Sequence, residues 1–276
     1  MDPFVSTDWL AQRLGAPDIA IVDASWYLPD QNRDPRAEHE AGHIPGAVFF
    51  DLDAIADLST GLPHMLAQPE AFAEAVGALG IGSAQTIIVY DEAGLFSAPR
   101  VYWTFKVMGA KDVRLLDGGG PAWRAEGRPL ETGIRNPAPA QFEPDFDPSR
   151  VRDFEAMRAL AGSGDITIID ARPGPRFRGE VPEPRPGLRA GHIPGSLNIP
   201  ASVLSVEGRL RSPEELKAFF AEARIDLDKP IVTTCGSGVT AATLALALET
   251  AGARDVTLYD GSWAEWGARE DAPVER

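Results

Sequence analysis

The feature that most constrains this chain is an internal repeat. The heptapeptide AGHIPGA at residues 41–47 returns as AGHIPGS at 190–196. A buried-strand pattern that ends in aspartate precedes each copy, as IAIVDAS at 19–25 and ITIIDAR at 166–172. Because these patterns recur in the same order, we interpret the chain as a tandem duplication of one domain.

Each half alternates short apolar strands with helical segments. After the repeated motif, strand patterns follow as TIIVYDE at 86–92 and PIVTTCG at 230–236, and again as GAKDVRLLDGG at 109–119 and GARDVTLYDGS at 252–262. Each half then ends in a Trp-containing stretch, PAWRAEG or WAEWGARE, which we expect to be a turn. The alternation predicts the α/β fold class, with two tandem domains that each have a mostly parallel sheet and helices on both faces.

A proline-rich stretch separates the halves. NPAPAQFEPDFDPS at 136–149 has no periodic apolar pattern and is typical of an extended linker. We therefore predict a first domain at 1–135, a linker at 136–150 and a second domain at 151–276. Features present in both halves are expected to build the fold, and features present in one half are candidates for chemistry.

Composition narrows the possible partners. The net charge of −15 argues against binding to nucleic acid or to an anionic membrane surface. No apolar run approaches the roughly 18 residues of a membrane span, and the first residues have no signal-peptide pattern. One cysteine excludes an intramolecular disulfide framework, so we expect a cytoplasmic protein.

Four shared residues are predicted to be structural. His43 and His192 occupy the same place in the two HIPG turns, where a ring nitrogen can tie the turn to its neighbours. Asp23 and Asp170 end the first strand pattern of each half and are expected to anchor loops.

The single cysteine, Cys235, occurs in one half only, since the first half has Asp91 at the matching position. It follows the strand pattern IVTT at 231–234 and precedes a helical pattern at 241–252, a place where open α/β sheets build their sites. Small residues let the loop N–H groups point at the sulfur, and the helix dipole acts on the same point. Both effects favour a thiolate, so we predict a catalytic nucleophile rather than a buried core cysteine.

The chemistry open to a lone thiolate is limited. Without a second cysteine, neither disulfide exchange within the chain nor a cysteine-based metal site is possible, and no metal or organic cofactor is expected. Phosphate ester hydrolysis is disfavoured because the cysteine phosphatase loop has an Arg six residues after the Cys, where this chain has Ala241. Sulfur transfer through a persulfide on Cys235 remains.

These features together resemble the rhodanese superfamily. The tandem halves, the paired GHIPG turns, Asp91 in place of the nucleophile and CGSGVT at 235–240 carry the resemblance, which covers essentially the whole chain. It implies two rhodanese domains, of which the second is catalytic. The small residues and backbone N–H groups of this loop are expected to cradle the sulfur and the bound donor, namely those of Gly236, Ser237, Gly238, Val239 and Thr240. For Thr240 two roles are open, a hydrogen bond to the sulfur and the cap of the following helix, and we favour the cap.

The loop indicates the donor. Family members that use thiosulfate usually have basic residues after the Cys, whereas those that use 3-mercaptopyruvate have neutral loops like this one. A carboxylate-bearing donor needs a cation, and RFRGEVPEPR at 176–185 matches the family stretch whose first and last Arg bind it. The resemblance therefore implies that Arg176 and Arg185 hold the carboxylate, while Arg178 is expected to be structural or solvated.

A second one-sided feature lies in the first half. Asp53 and His64 have no counterpart in the second half, which has Ser202 and Gly208 near the matching positions. In the family, such residues have been proposed to form an Asp–His–Ser relay with the loop serine, here Ser237. A relay could protonate the enolate that forms as sulfur leaves the donor. The alternative, that His64 caps a loop and Ser237 only provides a small side chain, stays open.

The expected function is sulfur transfer from 3-mercaptopyruvate to cyanide, a small thiol or thioredoxin, with release of pyruvate. A thiosulfate:cyanide sulfurtransferase of the same fold is one alternative, and a non-catalytic persulfide carrier or regulatory binding module is another. Because tandem domains can complete their own site, we expect a monomer.

Overall fold

The structure, a computed structural model, describes residues 2–276. The described chain forms two compact units whose segments interleave along the sequence. The first unit contains the described residues up to Asp57, Leu66–Asp147 and Glu207–Arg209, and the second contains Leu58–Met65, Pro148–Val206 and Leu210–Arg276. The domain boundaries drawn from the sequence at residues 135 and 150 stay a prediction.

The first unit alternates strands and helices. In chain order its elements are β1 (Phe4–Val5), α1 (Thr7–Ala11), β2 (Ile19–Asp23), α2 (Pro35–Ala41), β3 (Ala47–Phe49), α3 (Pro69–Ala78), β4 (Thr86–Tyr90), α4 (Ala98–Val107), β5 (Asp112–Leu116) and α5 (Gly119–Ala125). The strands pair in parallel in the order β1-β5-β4-β2-β3.

The second unit repeats this arrangement. Its elements are β6 (Val151–Arg152), α6 (Phe154–Leu160), β7 (Thr167–Asp170), α7 (Gly174–Phe177), β8 (Leu197–Asn198), β9 (Ser205–Val206), β10 (Arg209–Leu210), α8 (Pro213–Glu222), β11 (Ile231–Thr234), α9 (Val239–Ala251), β12 (Val256–Tyr259) and α10 (Ser262–Trp266), where Arg209 of β10 is counted with the first unit. The strand order β6-β12-β11-β7-β8 matches that of the first unit, and these strands also pair in parallel. Strands β9 and β10 form a separate small sheet. Short 3-10 helices occupy Pro29–Gln31, Leu58–Thr60, Pro148–Arg150 and Ala201–Val203.

The predicted parallel sheets of a duplicated α/β fold are therefore confirmed. Two local predictions were wrong. The Trp-containing stretches are the short helices α5 and α10 rather than turns, because Trp123 and Trp266 are fully buried against the sheets. Helix α9 begins two residues earlier than the pattern at 241–252 indicated, because Gly238 adopts a left-handed conformation with φ of 80° that starts it.

Apolar side chains from the strands and helices form a core in each unit. In the first unit this core packs the β2 and β4 side chains against α1 and α5 and is formed by Val5, Leu10, Ile21, Ile44, Ala47, Ile88, Tyr90, Leu116 and Trp123. The corresponding cluster of the second unit is formed by Phe154, Met157, Ile168, Ile193, Val232, Tyr259, Trp263, Trp266 and Ala272. Rigid sheets of this kind hold the loops at their carboxyl ends in place.

Residues 136–147 have no helix or strand. They belong to the first unit, where Phe142 is buried against Phe72 and Phe105, with ring centroids 5.6 and 6.0 Å away. The Ala140 amide donates to the Gly77 carbonyl at 2.9 Å. A Cβ on Gly77 would come within 2.7 Å of the Ala140 carbonyl oxygen, so this close approach requires glycine.

Within residues 2–276, the structure contains no helix that combines the length and the apolar character needed to cross a membrane.

Candidate active site

Cys235 lies directly after β11, at the carboxyl edge of the second sheet. Strand β11 pairs with β7 so that Thr234 stands beside Asp170, and the Ala171 amide donates to the Thr234 carbonyl at 2.8 Å. The cysteine is a free thiol and its side chain is buried, with 2% of its surface exposed. The residue before the loop is thus held by the sheet.

The backbone of Cys235 is held by the start of α10. Its amide donates to the Ser262 hydroxyl at 3.2 Å, and its carbonyl accepts from the Trp263 amide at 2.9 Å. One residue further on, the Gly236 carbonyl accepts from the Ala264 amide at 2.9 Å. These three bonds fix the direction in which the cysteine leaves the strand.

The N-terminus of α9 lies next in the chain. Gly238 is its N-cap residue and, as a glycine, has no side chain that caps the helix. The prediction that Thr240 caps the helix was wrong, because the helix begins at Val239 and Thr240 lies within its first turn. A helix start without a side-chain cap presents N–H groups and the positive end of the dipole to a nearby anion.

In the first unit, the loop at the corresponding position surrounds a buried carboxylate. Asp91, at the position of Cys235, is fully buried, and its Oδ2 accepts from the amides of Phe96, Ser97 and Ala98 at 2.7–2.9 Å. Its Oδ1 accepts from the Ala93 amide at 3.1 Å. Burial raises the pKa of Asp91 by more than the Ala98, Phe96 and Ser97 amides lower it, so the pKa is raised overall. The loop after β4 is therefore filled by its own carboxylate, where the loop after β11 has a thiol.

Arg176 lies beside the cysteine loop. A Cβ placed on Gly236 would be 3.1 Å from Arg176 Nη2, which puts the guanidinium against the first residue after Cys235. The Arg176 side chain is 18% exposed, and its Nε and Nη2 donate to the Glu183 carboxylate. The sequence-predicted donor-binding residue is thus next to the loop and held by a carboxylate.

Glu183 also binds a second arginine. Its Oε1 accepts from Arg172 Nη1 at 2.8 Å. Arg172 in turn donates to Asp170 through Nε and Nη2 and lies over the Trp263 ring, 4.2 Å from the centroid. Burial lowers the pKa of Arg172, but the Asp170 and Glu183 carboxylates outweigh it and raise the pKa overall. Arg172 is therefore a permanent buried cation.

Neither Arg172 nor Glu183 was predicted from the sequence to be a site residue. A signal was present, because the two halves differ at this place: ITIIDAR has Arg172 where IAIVDAS has Ser25. In the first unit the Ser25 hydroxyl donates to Asp23 at 2.6 Å, so the shared aspartate has a different partner in each unit.

The other two arginines of the segment differ from Arg176. Arg178 forms an exposed pair with Glu180 at 2.7 Å, which confirms that it is a surface residue. Arg185 is partly buried in the loop that follows Glu183. Its assignment to the donor stays a prediction.

His64 and Ser237 are brought together within the second unit. His64 Nδ1 and Ser237 Oγ are 2.9 Å apart, and both side chains are buried. His64 adopts a left-handed backbone conformation with φ of 59°, which is uncommon for a residue with a Cβ. Such conformations persist where the surroundings hold them, often at functional sites.

Asp53, the third residue of the predicted relay, belongs to the first unit. It is exposed, and its Oδ2 accepts from Trp26 Nε1 at 3.0 Å. The relay as a whole stays a prediction.

The shared residues have the structural roles that the sequence indicated. His43 Nδ1 lies 2.7 Å from the His39 carbonyl oxygen, and His192 Nδ1 lies 2.9 Å from that of Phe177. Asp23 accepts from the Ser25 amide and Asp170 from the Arg172 amide, at 3.0 and 2.8 Å. These contacts confirm the ties and loop anchors expected for both halves.

The fold and the loop define the class of protein. Residues 6–126 and 153–269 both match the rhodanese-like domain. The chain belongs to the rhodanese family.

Individual relatives are similar over nearly their full length. The 3-mercaptopyruvate sulfurtransferase of Escherichia coli K12 is 47% identical over 99% of this chain and 97% of its own. The human 3-mercaptopyruvate sulfurtransferase is 47% identical over 96% of this chain and 92% of its own. The crystal structure of SseA from Escherichia coli, a 3-mercaptopyruvate sulfotransferase, matches with a TM-score of 0.88 at 44% identity, over 95% of this chain and 99% of that one.

Proposed function

We propose that the chain is a sulfurtransferase that takes sulfur from 3-mercaptopyruvate, holds it as a persulfide on Cys235 and passes it to a thiol or to cyanide. The observation that carries this proposal is the placement of Cys235 between β11 and α9, in a loop without charged residues and with the Arg176 guanidinium beside Gly236. The close relationship to 3-mercaptopyruvate sulfurtransferases supports the same donor.

The first half-reaction loads the sulfur. The Cys235 thiolate attacks the donor sulfur, a new S–S bond forms, and the donor C–S bond breaks with its electron pair remaining on carbon. The products are the Cys235 persulfide and the enolate of pyruvate, which takes a proton to give pyruvate. The N–H groups of the loop and of the first turn of α9, from Gly236 to Thr240, would stabilise the negative charge on sulfur.

The second half-reaction unloads the sulfur. A nucleophilic acceptor attacks the outer sulfur, and Cys235 leaves as a thiolate, ready for another cycle. Cyanide would become thiocyanate, and a thiol, whether small or on thioredoxin, would become a persulfide. Because the electrons balance within the two steps, the proposed cycle needs no metal or organic cofactor.

Two arginines would bind the donor. Arg176 offers a guanidinium edge that can receive a carboxylate in a bidentate manner, and Arg185 is proposed as the second carboxylate ligand. A singly charged carboxylate suits a loop without further cations, whereas the thiosulfate dianion would gain less from it. Thiosulfate is thus the weaker alternative donor.

The proton for the enolate is assigned to the His64–Ser237 pair. The two side chains are hydrogen-bonded and buried beside the cysteine loop, so a proton can pass between them without bulk water. Asp53 is proposed to complete the relay by orienting His64.

Intact mass spectrometry tests this function. The protein is exposed briefly to 3-mercaptopyruvate, with thiosulfate in a parallel sample and Cys235→Ser as control. We expect one added sulfur on Cys235, faster from 3-mercaptopyruvate, removed by cyanide and missing from Cys235→Ser. Loading from thiosulfate alone would contradict the donor assignment. No loading from either would favour a persulfide carrier or binding module instead.

A further inference from the structure

Glu183 is a buried carboxylate that the proposed reaction does not use. Its side chain is 2% exposed, although it lies in a loop without regular secondary structure. Carboxylates are seldom buried to this extent unless they are paired with cations. Both of its oxygens are occupied, one by Arg172 and the other by Arg176.

Arg172, one of the two arginines that bind Glu183, is held in place by several other contacts. Arg172 is 1% exposed and is held by Asp170, by the Gly191 carbonyl at 2.8 Å and by the Trp263 ring. Its position is therefore fixed by the sheet and by α10. Since Glu183 Oε1 binds this immobile cation, the carboxylate can hold a further partner in a defined direction.

The contact with Arg176 is the side that faces the loop. Arg176 is the more exposed of the two arginines, at 18%, and it gives Nε and one Nη2 hydrogen to Glu183. This leaves Nη1 and the second Nη2 hydrogen for another acceptor. Because Glu183 binds one edge of the guanidinium, the other edge keeps a fixed orientation beside Gly236.

The duplication supports a role in chemistry rather than in folding. The charged row Asp170–Arg172–Glu183–Arg176 occurs in the second unit, which contains the thiol. In the first unit, Asp23 instead accepts from the Ser25 hydroxyl and pairs with His39. The same fold therefore forms around the shared aspartate without such a row.

We infer that Glu183 is a positioning residue for donor binding: its buried carboxylate, anchored on Arg172, holds the Arg176 guanidinium in the orientation that receives the carboxylate of the donor. The inference rests on the proposed function, because it requires a carboxylate-bearing donor at Arg176. Glu183 itself touches neither the donor nor Cys235 and acts through Arg176.

Steady-state kinetics with 3-mercaptopyruvate test the inference. For Glu183→Gln we expect KM to rise about tenfold, the effect of one misaligned charge-assisted hydrogen bond, while kcat stays within about twofold. Glu180→Gln is the matched control, because it removes the same charge from the same segment in an exposed pair, and it should leave both constants unchanged. An unchanged KM in Glu183→Gln would overturn the inference.

A double-mutant cycle separates positioning from general stability. In an Arg176→Ala background, Glu183→Gln should add no further rise in KM, because the group that it positions is gone. Independent, multiplying effects on KM would overturn the inference. The rate at which iodoacetamide, a neutral reagent, alkylates Cys235 should be the same in Glu183→Gln and in the unaltered protein, whereas a damaged loop would change it.

A second variant covers the case in which Glu183→Gln does not fold. Glu183→Asp keeps the charge that buried Arg172 requires but is one methylene shorter, so it cannot hold both guanidinium groups. We expect normal thermal unfolding with a raised KM, and an unchanged KM in the folded Asp variant would refute positioning. Failure of the proposed function is seen separately, since the unaltered protein would then gain no sulfur from 3-mercaptopyruvate.

Discussion

Ser262 accepts a hydrogen bond from the Cys235 amide at 3.2 Å while its own hydroxyl donates to the Tyr259 carbonyl at 2.9 Å. Ser262 is fully buried and has a left-handed backbone with φ of 48°. Gly119 has a similar conformation in the first unit, with φ of 58°, and the next amide, that of Gly120, donates to the Asp91 carbonyl. The second unit thus places a hydroxyl where the first has glycine, and this hydroxyl links the nucleophile to the end of β12.

Replacing this serine should affect stability in a defined order. In Ser262→Ala the buried Cys235 amide loses its acceptor, which should cost about 1–3 kcal/mol. Ser262→Gly loses the same acceptor but tolerates the left-handed backbone, so it should be more stable than the Ala variant by about 1 kcal/mol. Urea unfolding of both variants measures the order, and an Ala variant at least as stable as the Gly variant would contradict it.

Arg176→Ala should chiefly raise the KM for 3-mercaptopyruvate. Loss of the charge-assisted bonds to the donor carboxylate should raise KM at least about tenfold and change kcat little. Arg178→Ala is the matched control from the same segment, because its exposed pair with Glu180 is worth little. If the two variants have the same KM, Arg176 does not bind the donor.

Gly236→Ala should displace Arg176, because it places a new methyl group against the guanidinium. The new Cβ would lie 3.1 Å from Arg176 Nη2, a contact that requires the guanidinium to move although Glu183 holds it. We expect a rise in KM of about three- to tenfold from this displacement. Combining Gly236→Ala with Arg176→Ala provides the check, since the glycine substitution should then have no further effect on KM.

His64 should matter for proton transfer rather than for binding. In His64→Asn the side chain tolerates the left-handed backbone and can still hydrogen-bond Ser237, but it cannot transfer a proton near neutral pH. We expect kcat for pyruvate release to fall about a hundredfold, with KM unchanged. Loading from thiosulfate serves as the control, because sulfite leaves without needing a proton on carbon. An equal loss with both donors would show that His64 supports the loop and is not part of a relay.

Asp91 should make the free energy of unfolding of the first unit depend on pH. Burial raises its folded-state pKa above the ordinary value of 3.8, so the folded state binds the proton more tightly than the unfolded state. The stability that Asp91 contributes is therefore complete below about pH 3.8 and falls as the pH rises through the raised folded value. Urea unfolding at several pH values measures the free energy of unfolding of the unaltered protein and of Asp91→Asn. As the pH increases, the unaltered protein should lose stability relative to the variant. A difference that does not change with pH would refute the shift.

The strands were predictable because they are short apolar runs that recur in both halves. Strand β11 occupies Ile231–Thr234, the four residues that the pattern indicated, and the parallel pairing follows from the helices between strands. The start of α9 was less predictable. It depends on the left-handed backbone conformation of Gly238, directly after which the helix begins at Val239. The placement of Cys235 beyond β11 followed from the order of patterns alone.

The sequence by itself determined the duplication, the fold class, the position of the one thiol and the arginine-rich segment that only the second half contains. Only the tertiary structure showed that Arg176 reaches Gly236, that Glu183 binds both Arg172 and Arg176, and that His64 meets Ser237. The physical reason is that repeats and periodicity report local backbone conformation and burial. Contacts between side chains distant in sequence depend instead on how loops without periodic patterns are packed onto the sheet.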